Sequence, residues 1–200
     1  MSSDRATLEF YAKEAAAYAA RSDKIGVSKN LGMFVGALPS RAAVLDLGCG
    51  TGRETRTLID CGLNVTAVDG SPEMAREAEK RTGRSVRVQL FEELNDIEAF
   101  DGIWANASLL HVPRADLAQV FGAVYRALKP NGLLFASFKS GDQEGRDKLG
   151  RYYNYLNRDE IEAHLRNAGA WTSLELNESR GKGYDEADSV FVGCLARKSG

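Results

Sequence analysis

The sequence predicts an α/β fold in which a mostly parallel β-sheet carries helices on both of its faces. Short apolar runs that are typical of buried strands alternate with segments of helical periodicity over residues 42–138. Glycine or proline stands at several of the junctions between these segments. The chain has 200 residues, of which 44% are hydrophobic, and this is enough for one well-buried core.

Local signals place the elements in the central part of the chain. Ser71 followed by Pro72 is typical of a helix N-cap and first turn, and Pro130 ends the helix before it. Because parallel strands need crossover connections, the alternation implies right-handed βαβ units. We predict strands over residues 42–47, 65–68, 86–90, 102–105 and 133–138, and helices over residues 51–61, 71–82 and 114–128.

The two ends of the chain add further elements. Residues 4–20 carry apolar side chains three or four positions apart, which predicts a helix outside the sheet, and residues 28–38 form a second helical segment. Toward the other end we predict a helix over residues 158–168, and strands over residues 171–176 and 189–196 that pair as an antiparallel hairpin. We expect one domain over residues 1–200, with a helical lid or cap over residues 1–38 and a core over residues 40–200.

Charge and cysteine content exclude several classes of protein. The formal net charge is −2, with 26 basic and 28 acidic residues mixed along the chain, so no overall field attracts nucleic acid or an anionic membrane. The three cysteines are far apart and lack metal-ligand spacing, which argues against disulfides and structural zinc. No stretch has the length of a signal-peptide core or a membrane span. We expect a cytoplasmic monomer or homodimer with no metal, nucleic-acid or membrane partner.

A glycine-rich loop follows the first predicted strand. Gly48, Gly50 and Gly52 alternate there, and each lets the backbone turn tightly or approach a ligand closely. Asp69, at the end of the second predicted strand, lies nineteen residues after Gly50. An acidic side chain at that place can accept hydrogen bonds from both hydroxyls of a ribose. The loop and the acid together imply a ligand that contains adenosine.

Two other interpretations compete with this one. The glycines could serve only as turns and Asp69 only as a helix cap, but the combination argues against that. A nicotinamide or flavin dinucleotide would require the pattern G-x-G-x-x-G, whereas Arg53 occupies the position of the last glycine and Gly52 lies one residue early. Asp46, just before the turn, would repel a phosphate and instead suits a ligand with a positive group.

Four segments resemble, in order and spacing, the motifs of class I S-adenosylmethionine-dependent methyltransferases. They are VLDLGCGTG (44–52), VDGSPEM (68–74), FDGIWANASLLHV (100–112) and LKPNGLLFASFK (128–139). The resemblance implies a Rossmann-like, doubly wound sheet of seven strands, parallel except for an antiparallel last strand. It also implies S-adenosylmethionine as the cofactor and S-adenosylhomocysteine as the product.

The resemblance further implies which residues bind the cofactor. Gly48, Gly50 and Gly52 would line its methionine part, Asp46 would orient its amino group through the surrounding residues, and Asp69 would hold its ribose. The other residues that we expect at the cofactor are Tyr18, Arg21, Cys49, Arg53, Gly70, Ser71, Met74, Phe91, Glu92 and Asn106.

The sequence departs from the family pattern after the third strand. Family members commonly have Gly-Asp there, and the Asp binds the adenine amino group. Gln89 and Leu90 stand at the aligned positions, followed by Phe91 and Glu92. We expect Phe91 to stack on or flank the adenine and Glu92 to replace the missing acid.

The N-terminal helix is expected to close over the cofactor as a lid, as it does in similar proteins. Tyr11, Tyr18 and Arg21 would face the site, and Arg21 or Arg53 would reach the carboxylate of the cofactor. Simple helix packing is the alternative for Tyr11.

Methyl transfer from a sulfonium requires an acceptor held in a near-attack position, and a base only if the acceptor must lose a proton. His111, in the segment after the fourth strand, has a side chain suited to proton removal, with capping of the next helix as the alternative. Lys139, at the end of the fifth strand, and Tyr152, in the long loop over residues 139–157, are the other catalytic candidates. The alternative for this loop is a solvated segment whose tyrosines pack on the sheet.

We expect the acceptor to be a small soluble molecule, because the chain is short and has no excess of basic residues. Two alternatives remain. An RNA or protein methyltransferase would bind its substrate with an affinity that falls with salt. A regulatory protein would bind the cofactor without turnover.

Overall fold

A computed structural model describes residues 3–22, 26 and 28–200. A seven-stranded sheet forms its centre, and a short two-stranded sheet follows the fifth strand. The strands are β1 (Ala43–Leu47), β2 (Asn64–Asp69), β3 (Val86–Val88), β4 (Phe100–Ala105), β5 (Leu128–Lys139), β6 (Gly145–Arg146), β7 (Tyr152–Tyr153), β8 (Trp171–Lys182) and β9 (Asp188–Lys198). The helices are α1 (Arg5–Ser22), α2 (Lys29–Gly36), α3 (Arg53–Asp60), α4 (Pro72–Thr82), α5 (Leu117–Ala127) and α6 (Arg158–Ala168).

The strands of the central sheet follow the order β3-β2-β1-β4-β5-β9-β8. The first five strands of the chain pair in parallel, and β9 runs antiparallel to both β5 and β8. The predicted Rossmann-like sheet of seven strands with an antiparallel last strand is therefore confirmed. The order reverses between β1 and β4, and in such sheets ligands bind beyond the carboxyl ends of the strands at this reversal.

Helices cover both faces of the sheet because successive strand residues point in opposite directions. On one face, Leu45 belongs to a buried cluster that includes side chains of α5 and α6. On the other face, Val44 and Trp104 share a cluster with Phe34 of α2 and Leu58 of α3. Each of these side chains is fully buried, and burial of one such side chain contributes roughly 1.5–3 kcal/mol.

The final hairpin is longer than predicted. The sequence indicated strands over residues 171–176 and 189–196, whereas β8 extends to Lys182 and β9 begins at Asp188. The ladder continues without a break from Asn177 opposite Gly193 to Lys182 opposite Asp188. Residues 177–182 are exposed on the edge of the sheet, so they lack the apolar alternation by which a strand is recognised.

Other boundaries also differ from the predictions. The predicted strand over residues 86–90 ends at Val88, and the predicted helix over residues 114–128 begins at Leu117 after a 3₁₀ turn. β5 begins at Leu128, because that residue already pairs with Phe100 of β4. In the described part of the chain, no helix combines the length and the apolar character that a membrane span requires.

Helix α1 lies against α4, near the carboxyl edge of the sheet. Arg81 of α4 donates two hydrogen bonds near the C-terminal end of α1, one to the Ala19 carbonyl at 3.3 Å and one to the Ser22 hydroxyl at 3.1 Å. Just before its first residue, Asp4 forms an ion pair of 2.7 Å with Arg146 of β6. Both ends of α1 are thus attached to elements that border the carboxyl edge.

Candidate active site

A first cavity opens at the carboxyl edge of the sheet. The loops after β1, β2, β3 and β4 form its walls, and α1 contributes the side facing away from the sheet. Ten of the predicted cofactor residues line it: Tyr18, Gly48, Cys49, Gly50, Arg53, Asp69, Gly70, Met74, Phe91 and Asn106. The other lining residues are Ser3, Thr7, Leu8, Tyr11, Ser22, Thr51, Glu54, Gln89, Leu90, Ala107, Ser108 and His111.

Two positions in the loop after β1 require glycine, for different structural reasons. Gly48 has φ +79° and lines the first cavity, where a Cβ would lie 2.4 Å from the Cβ of Ser108. Gly52 has φ +75° and precedes α3, where a Cβ would lie 2.8 Å from the Cα of Ala78. Gly48 therefore keeps the wall of the cavity clear, whereas Gly52 lets α3 and α4 pack closely.

Asp69 joins the loop after β1 to the start of α4. One oxygen of its carboxylate accepts a hydrogen bond from the Gly50 N–H and the other accepts one from the Ser71 N–H, both at 2.8 Å. Burial raises the pKa of Asp69 to about 6. Because a carboxylate oxygen can accept more than one hydrogen bond, Asp69 keeps acceptor capacity toward the cavity that it lines.

Asp46 lies behind the cavity rather than in its wall. It is 2% exposed, and its carboxylate accepts a hydrogen bond of 2.5 Å from the Thr55 hydroxyl of α3. Burial raises the pKa of Asp46 to about 7. Any effect of Asp46 on a ligand is consequently indirect, through α3 and the loop that precedes it.

Glu54 is a lining residue that the sequence analysis missed. Its carboxylate accepts hydrogen bonds from the Trp104 indole at 2.7 Å and from the Asn106 amide at 3.1 Å, and it pairs with Arg53 at 2.9 Å. Ser137 donates a hydrogen bond of 2.7 Å to the other end of the Asn106 amide. These bonds fix a carboxylate and an amide at the cavity, and an acid in the first turn of the helix after the glycine loop was the available signal.

The other predicted cofactor residues lie outside the wall of the first cavity. Ser71 caps α4 by accepting a hydrogen bond of 3.3 Å from the Met74 N–H. Glu92 accepts a hydrogen bond of 2.8 Å from the Ser3 hydroxyl. Arg21 pairs with Glu186 and donates a hydrogen bond of 2.8 Å to the Tyr184 carbonyl, so it faces the β8–β9 turn instead.

A second cavity adjoins the first and shares six lining residues with it: Tyr11, Tyr18, Ser22, Asn106, Ala107 and His111. Its remaining lining residues come from the chain after β4 and from α1: Arg21, Leu110, Lys139, Arg151, Tyr153, Lys182, Gly183, Tyr184 and Phe191. The rings of Tyr18 and Tyr184 stack with their centroids 4.7 Å apart, which joins α1 to the β8–β9 turn.

His111 lies between the two cavities and has a defined protonation state. Its Nδ1 is 2.6 Å from the Tyr152 carbonyl, which can only accept, so Nδ1 carries the hydrogen. Its Nε2 is 2.8 Å from the Tyr11 hydroxyl and accepts from it. Burial lowers the pKa of His111 to about 4. At neutral pH the imidazole is neutral, with an unprotonated Nε2.

Arg151 supports this arrangement from the loop after β5. It is 1% exposed and donates a hydrogen bond of 3.1 Å to the Tyr11 hydroxyl. Its guanidinium also forms a fully buried ion pair of 2.7 Å with Asp147. The segment predicted as a possible solvated loop is thus partly ordered around a buried arginine, and the β6–β7 pairing encloses the turn that carries Asp147.

The side chain of Tyr152, a predicted catalytic candidate, does not line either cavity. Its hydroxyl donates to Glu144 at 2.5 Å and accepts from the Arg114 N–H at 3.2 Å, so the side chain is directed away from both cavities. Neighbouring residues of a strand point to opposite sides, and Tyr153 faces the second cavity instead. Only the carbonyl of Tyr152 reaches the site, at His111. Lys139 does line the second cavity, as predicted from its place at the end of β5.

A parallel sheet with a cavity beyond the carboxyl ends of its strands is typical of enzymes that bind a cofactor containing adenosine. The family model described as a methyltransferase domain matches residues 44–132. A ubiquinone biosynthesis O-methyltransferase of Xanthomonas axonopodis pv. citri is 31% identical over 169 residues, which cover 74% of this chain and 68% of that protein. The chain belongs to the class I S-adenosylmethionine-dependent methyltransferases, and it is an enzyme that uses S-adenosylmethionine.

Solved structures share the fold. A 1,6-didemethyltoxoflavin-N1-methyltransferase of Burkholderia thailandensis, with 1,6-didemethyltoxoflavin and S-adenosylhomocysteine bound, aligns with a TM-score of 0.76 at 23% identity and covers 98% of this chain and 88% of its own. A phosphoethanolamine N-methyltransferase 2 of Haemonchus contortus, in complex with S-adenosyl-L-methionine, gives 0.69 at 18% identity and covers 85% of this chain and 51% of its own.

The residues of the first cavity fit S-adenosylmethionine. Gly48 leaves space that a Cβ would fill, and Asp69 offers acceptor capacity of the kind that ribose hydroxyls need. The Glu54 carboxylate suits the positively charged groups of the cofactor, and Leu8 with Phe91 supplies apolar surface for a flat base.

Proposed function

We propose that this methyltransferase acts on a small molecule that binds in the second cavity. The observation that carries this proposal is the set of six residues common to both cavities. A molecule in the second cavity would meet the cofactor at Asn106, Ala107 and His111, without any movement of the sheet. This is the arrangement that a direct transfer between two bound molecules requires.

The covering of the second cavity supports a small acceptor. α1 lies on one side, and the Tyr18–Tyr184 stack and the Arg21–Glu186 pair attach it to the β8–β9 turn. A folded RNA or protein would have to displace these contacts to bring a reactive group between the cavities. A small molecule needs only to enter the space that the lining residues enclose.

Positioning accounts for most of the catalysis in this proposal. When bound, S-adenosylmethionine supplies a methyl group on a positively charged sulfur, and the bond to the acceptor replaces the carbon–sulfur bond, whose electron pair stays on sulfur. Orientation of two reactants supplies about 7–11 kcal/mol. A general base contributes about 10²–10⁴-fold, or roughly 3–5 kcal/mol. The side chains that hold the acceptor therefore matter more than the base.

His111 is the proposed base for an acceptor that loses a proton. Nδ1–H is held by the Tyr152 carbonyl, which leaves the lone pair of Nε2 on the side of the Tyr11 hydroxyl. A proton from the acceptor can reach Nε2 directly or through that hydroxyl. With a pKa of about 4, His111 is a weak base, and this suits an acceptor whose O–H or N–H is itself acidic.

The test is a turnover screen with matched acceptors. Purified protein and S-adenosylmethionine are incubated with small phenols, amines, thiols and carboxylic acids, and in parallel with total RNA and with a protein extract. We expect S-adenosylhomocysteine to form with members of the small-molecule set. Turnover with RNA or protein alone would overturn the proposal, and cofactor binding without turnover in any arm would favour a regulatory role instead.

A further inference from the structure

The second cavity is lined by positively charged side chains and by no carboxylate among its described lining residues. Its cations are Arg21, Lys139, Arg151 and Lys182. They come from α1, the end of β5, the loop after β5 and the end of β8, so four separate parts of the fold bring them together. The net charge of the whole chain is −2, so the excess of positive charge in this cavity is a local property.

Three of the four cations have a carboxylate behind them. Arg21 pairs with Glu186, Lys139 with Asp185, and Arg151 with Asp147. Lys182 has no carboxylate within ion-pair distance in the described part of the chain. The cavity wall therefore has a surplus of one positive charge. A ligand with a single negative charge would balance it.

Lys139 is the cation with the weakest existing partner. Its side chain is 6% exposed, and the Asp185 oxygen nearest to its ammonium is 3.7 Å away, which is longer than a hydrogen bond. Gly183 lines the cavity beside it, and a Cβ there would lie 2.7 Å from the ammonium nitrogen. Since Lys139 lines the second cavity, a ligand oxygen there could accept a hydrogen bond from its ammonium.

Aromatic rings form the rest of the wall. The Lys139 ammonium lies 4.4 Å from the centroid of the Tyr153 ring, and the Arg151 guanidinium lies 5.3 Å from the same ring. Tyr153, Tyr184 and Phe191 line the second cavity together with these cations. Flat apolar surface beside a positive group suits a ligand that is planar at one end and anionic at the other.

We propose that the methyl acceptor is a small aromatic acid whose carboxylate pairs with Lys139 and whose ring lies against Tyr153 and its aromatic neighbours. This inference rests on the proposed function, because it specifies the molecule that the second cavity holds. The carboxylate would occupy the end of the cavity away from the first one. The atom to be methylated would then lie on the side of His111 and Asn106, which both cavities share.

Binding of benzoate tests the class of ligand independently of turnover. The protein is first saturated with S-adenosylhomocysteine and then titrated, by calorimetry, with benzoate, with the neutral isostere benzamide and with the non-aromatic cyclohexanecarboxylate. A hydrogen-bonded charged partner is worth about tenfold or more in affinity. We expect benzoate to bind at least about tenfold more tightly than benzamide, and more tightly than cyclohexanecarboxylate.

Two variants locate the carboxylate. Lys139→Met should lower benzoate affinity by about tenfold or more while benzamide affinity stays unchanged. Because this change leaves Asp185 without its partner, S-adenosylhomocysteine affinity is measured in the same variant to establish that the fold is intact. Lys182→Ala, at an exposed position, should lower benzoate affinity by a smaller factor that decreases as salt is added. Lys148→Met, an exposed lysine in the loop between β6 and β7, is the matched control and should change nothing.

The outcomes separate this inference from the proposed function. Equal binding of benzoate and benzamide, or unchanged benzoate binding in Lys139→Met, would overturn the aromatic acid. If neutral small acceptors are nevertheless turned over, the proposed function stands without it. If only RNA or protein is methylated, both fail. Binding of benzoate that depends on Lys139, together with turnover of hydroxylated or aminated aromatic acids, supports both.

Discussion

The Asp69 carboxylate both accepts hydrogen bonds from the backbone and lines the first cavity. It fixes the Gly50 and Ser71 N–H groups, and its remaining acceptor capacity faces the first cavity. Replacing Asp69 by Ala should weaken S-adenosylhomocysteine binding by about 1–3 kcal/mol, roughly 5- to 150-fold, because buried hydrogen-bonding groups lose their partner. Calorimetric titration measures this change. Asp60→Asn, an exposed member of an ion pair on α3, is the control, and an unchanged affinity in Asp69→Ala would remove the ribose assignment.

His111 should be visible in the pH dependence of the rate. Since its pKa is about 4, the side chain stays neutral from pH 5 to pH 9, and kcat should show no inflection near the ordinary histidine pKa of about 6.5. Replacing His111 by Gln should lower kcat by about 10²-fold or more with an acceptor that loses a proton, and leave S-adenosylhomocysteine affinity nearly unchanged. An inflection near 6.5 that disappears in His111→Gln would contradict the assigned protonation state.

The chain supplies its own control for this experiment. His164 is the other histidine; its ring stacks on that of Phe121 of α5, with the centroids 5.5 Å apart, and it does not line either cavity. His164→Gln should retain the wild-type kcat. The two substitutions remove the same chemical group, so a difference between them reports on position alone.

Among the elements, α1 contributes to both cavities and is held at both ends by side chains of other elements. Arg81 of α4 bonds to Ala19 and Ser22 of α1 and also donates to the Thr51 hydroxyl, at 3.1 Å, in the wall of the first cavity. Arg81→Ala should therefore loosen the end of α1 and weaken S-adenosylhomocysteine binding by about 1–2 kcal/mol. Calorimetry gives the affinity, and amide hydrogen exchange over α1 reports the loosening.

Arg84→Ala is the control for Arg81→Ala, because Arg84 is an exposed arginine just after α4, the helix that carries Arg81. Its exchange and affinity should match those of the unchanged protein. If Arg81→Ala accelerates exchange in α1 without changing affinity, α1 would be a packing element rather than a part of the cofactor site.

The sequence predicted the helices and strands with periodic apolar side chains, and it missed the strands that are exposed or that depend on distant parts of the chain. The βαβ core follows from apolar runs and caps, and Ser71 caps the N-terminus of α4 as the sequence predicts. The outer half of the final hairpin could not be predicted, because backbone pairing with β9 maintains it while its side chains are exposed. The connection between β6 and β7 carries the buried Arg151–Asp147 pair, and no local pattern reveals that two charged residues are buried together.

In the whole molecule, the first cavity was more predictable than the second. Its walls come from four loops that each follow a recognisable strand, so the positions of Gly48, Asp69 and Asn106 could be inferred from sequence. The second cavity combines α1, the loop after β5 and the β8–β9 turn, and Tyr184 meets Tyr18 only because the chain folds back on itself. Because these residues are far apart in the sequence, no local pattern predicts that they come together.

Buried titratable groups should make the stability of the cofactor-free enzyme depend on pH in opposing ways. Asp46 has its pKa raised from 3.8 to about 7, so its contribution is fully present below about pH 4 and is lost as the pH rises toward 7. His111 has its pKa lowered from 6.5 to about 4, so its contribution is present above about pH 6.5 and is lost as the pH falls toward 4. The contributions of Asp46 and His111 therefore partly cancel between pH 4 and pH 7, whereas Asp69, with its pKa raised to about 6, acts in the same direction as Asp46.

Difference measurements separate the two contributions. The free energy of unfolding, from urea titrations followed by circular dichroism, is compared between the wild type and Asp46→Asn at four pH values from 4.5 to 7.5. The excess stability of the wild type over Asp46→Asn should fall by the order of 3 kcal/mol across this range, because only the wild type must ionise a carboxylate that is 2% exposed. A constant difference for Asp46→Asn would show that Asp46 ionises freely in the folded enzyme. Because ligand binding stabilises only the folded state, S-adenosylhomocysteine at a hundred times its Kd should add about 2.7 kcal/mol. That gain offsets much of the loss in the free energy of unfolding that ionisation of Asp46 causes at neutral pH.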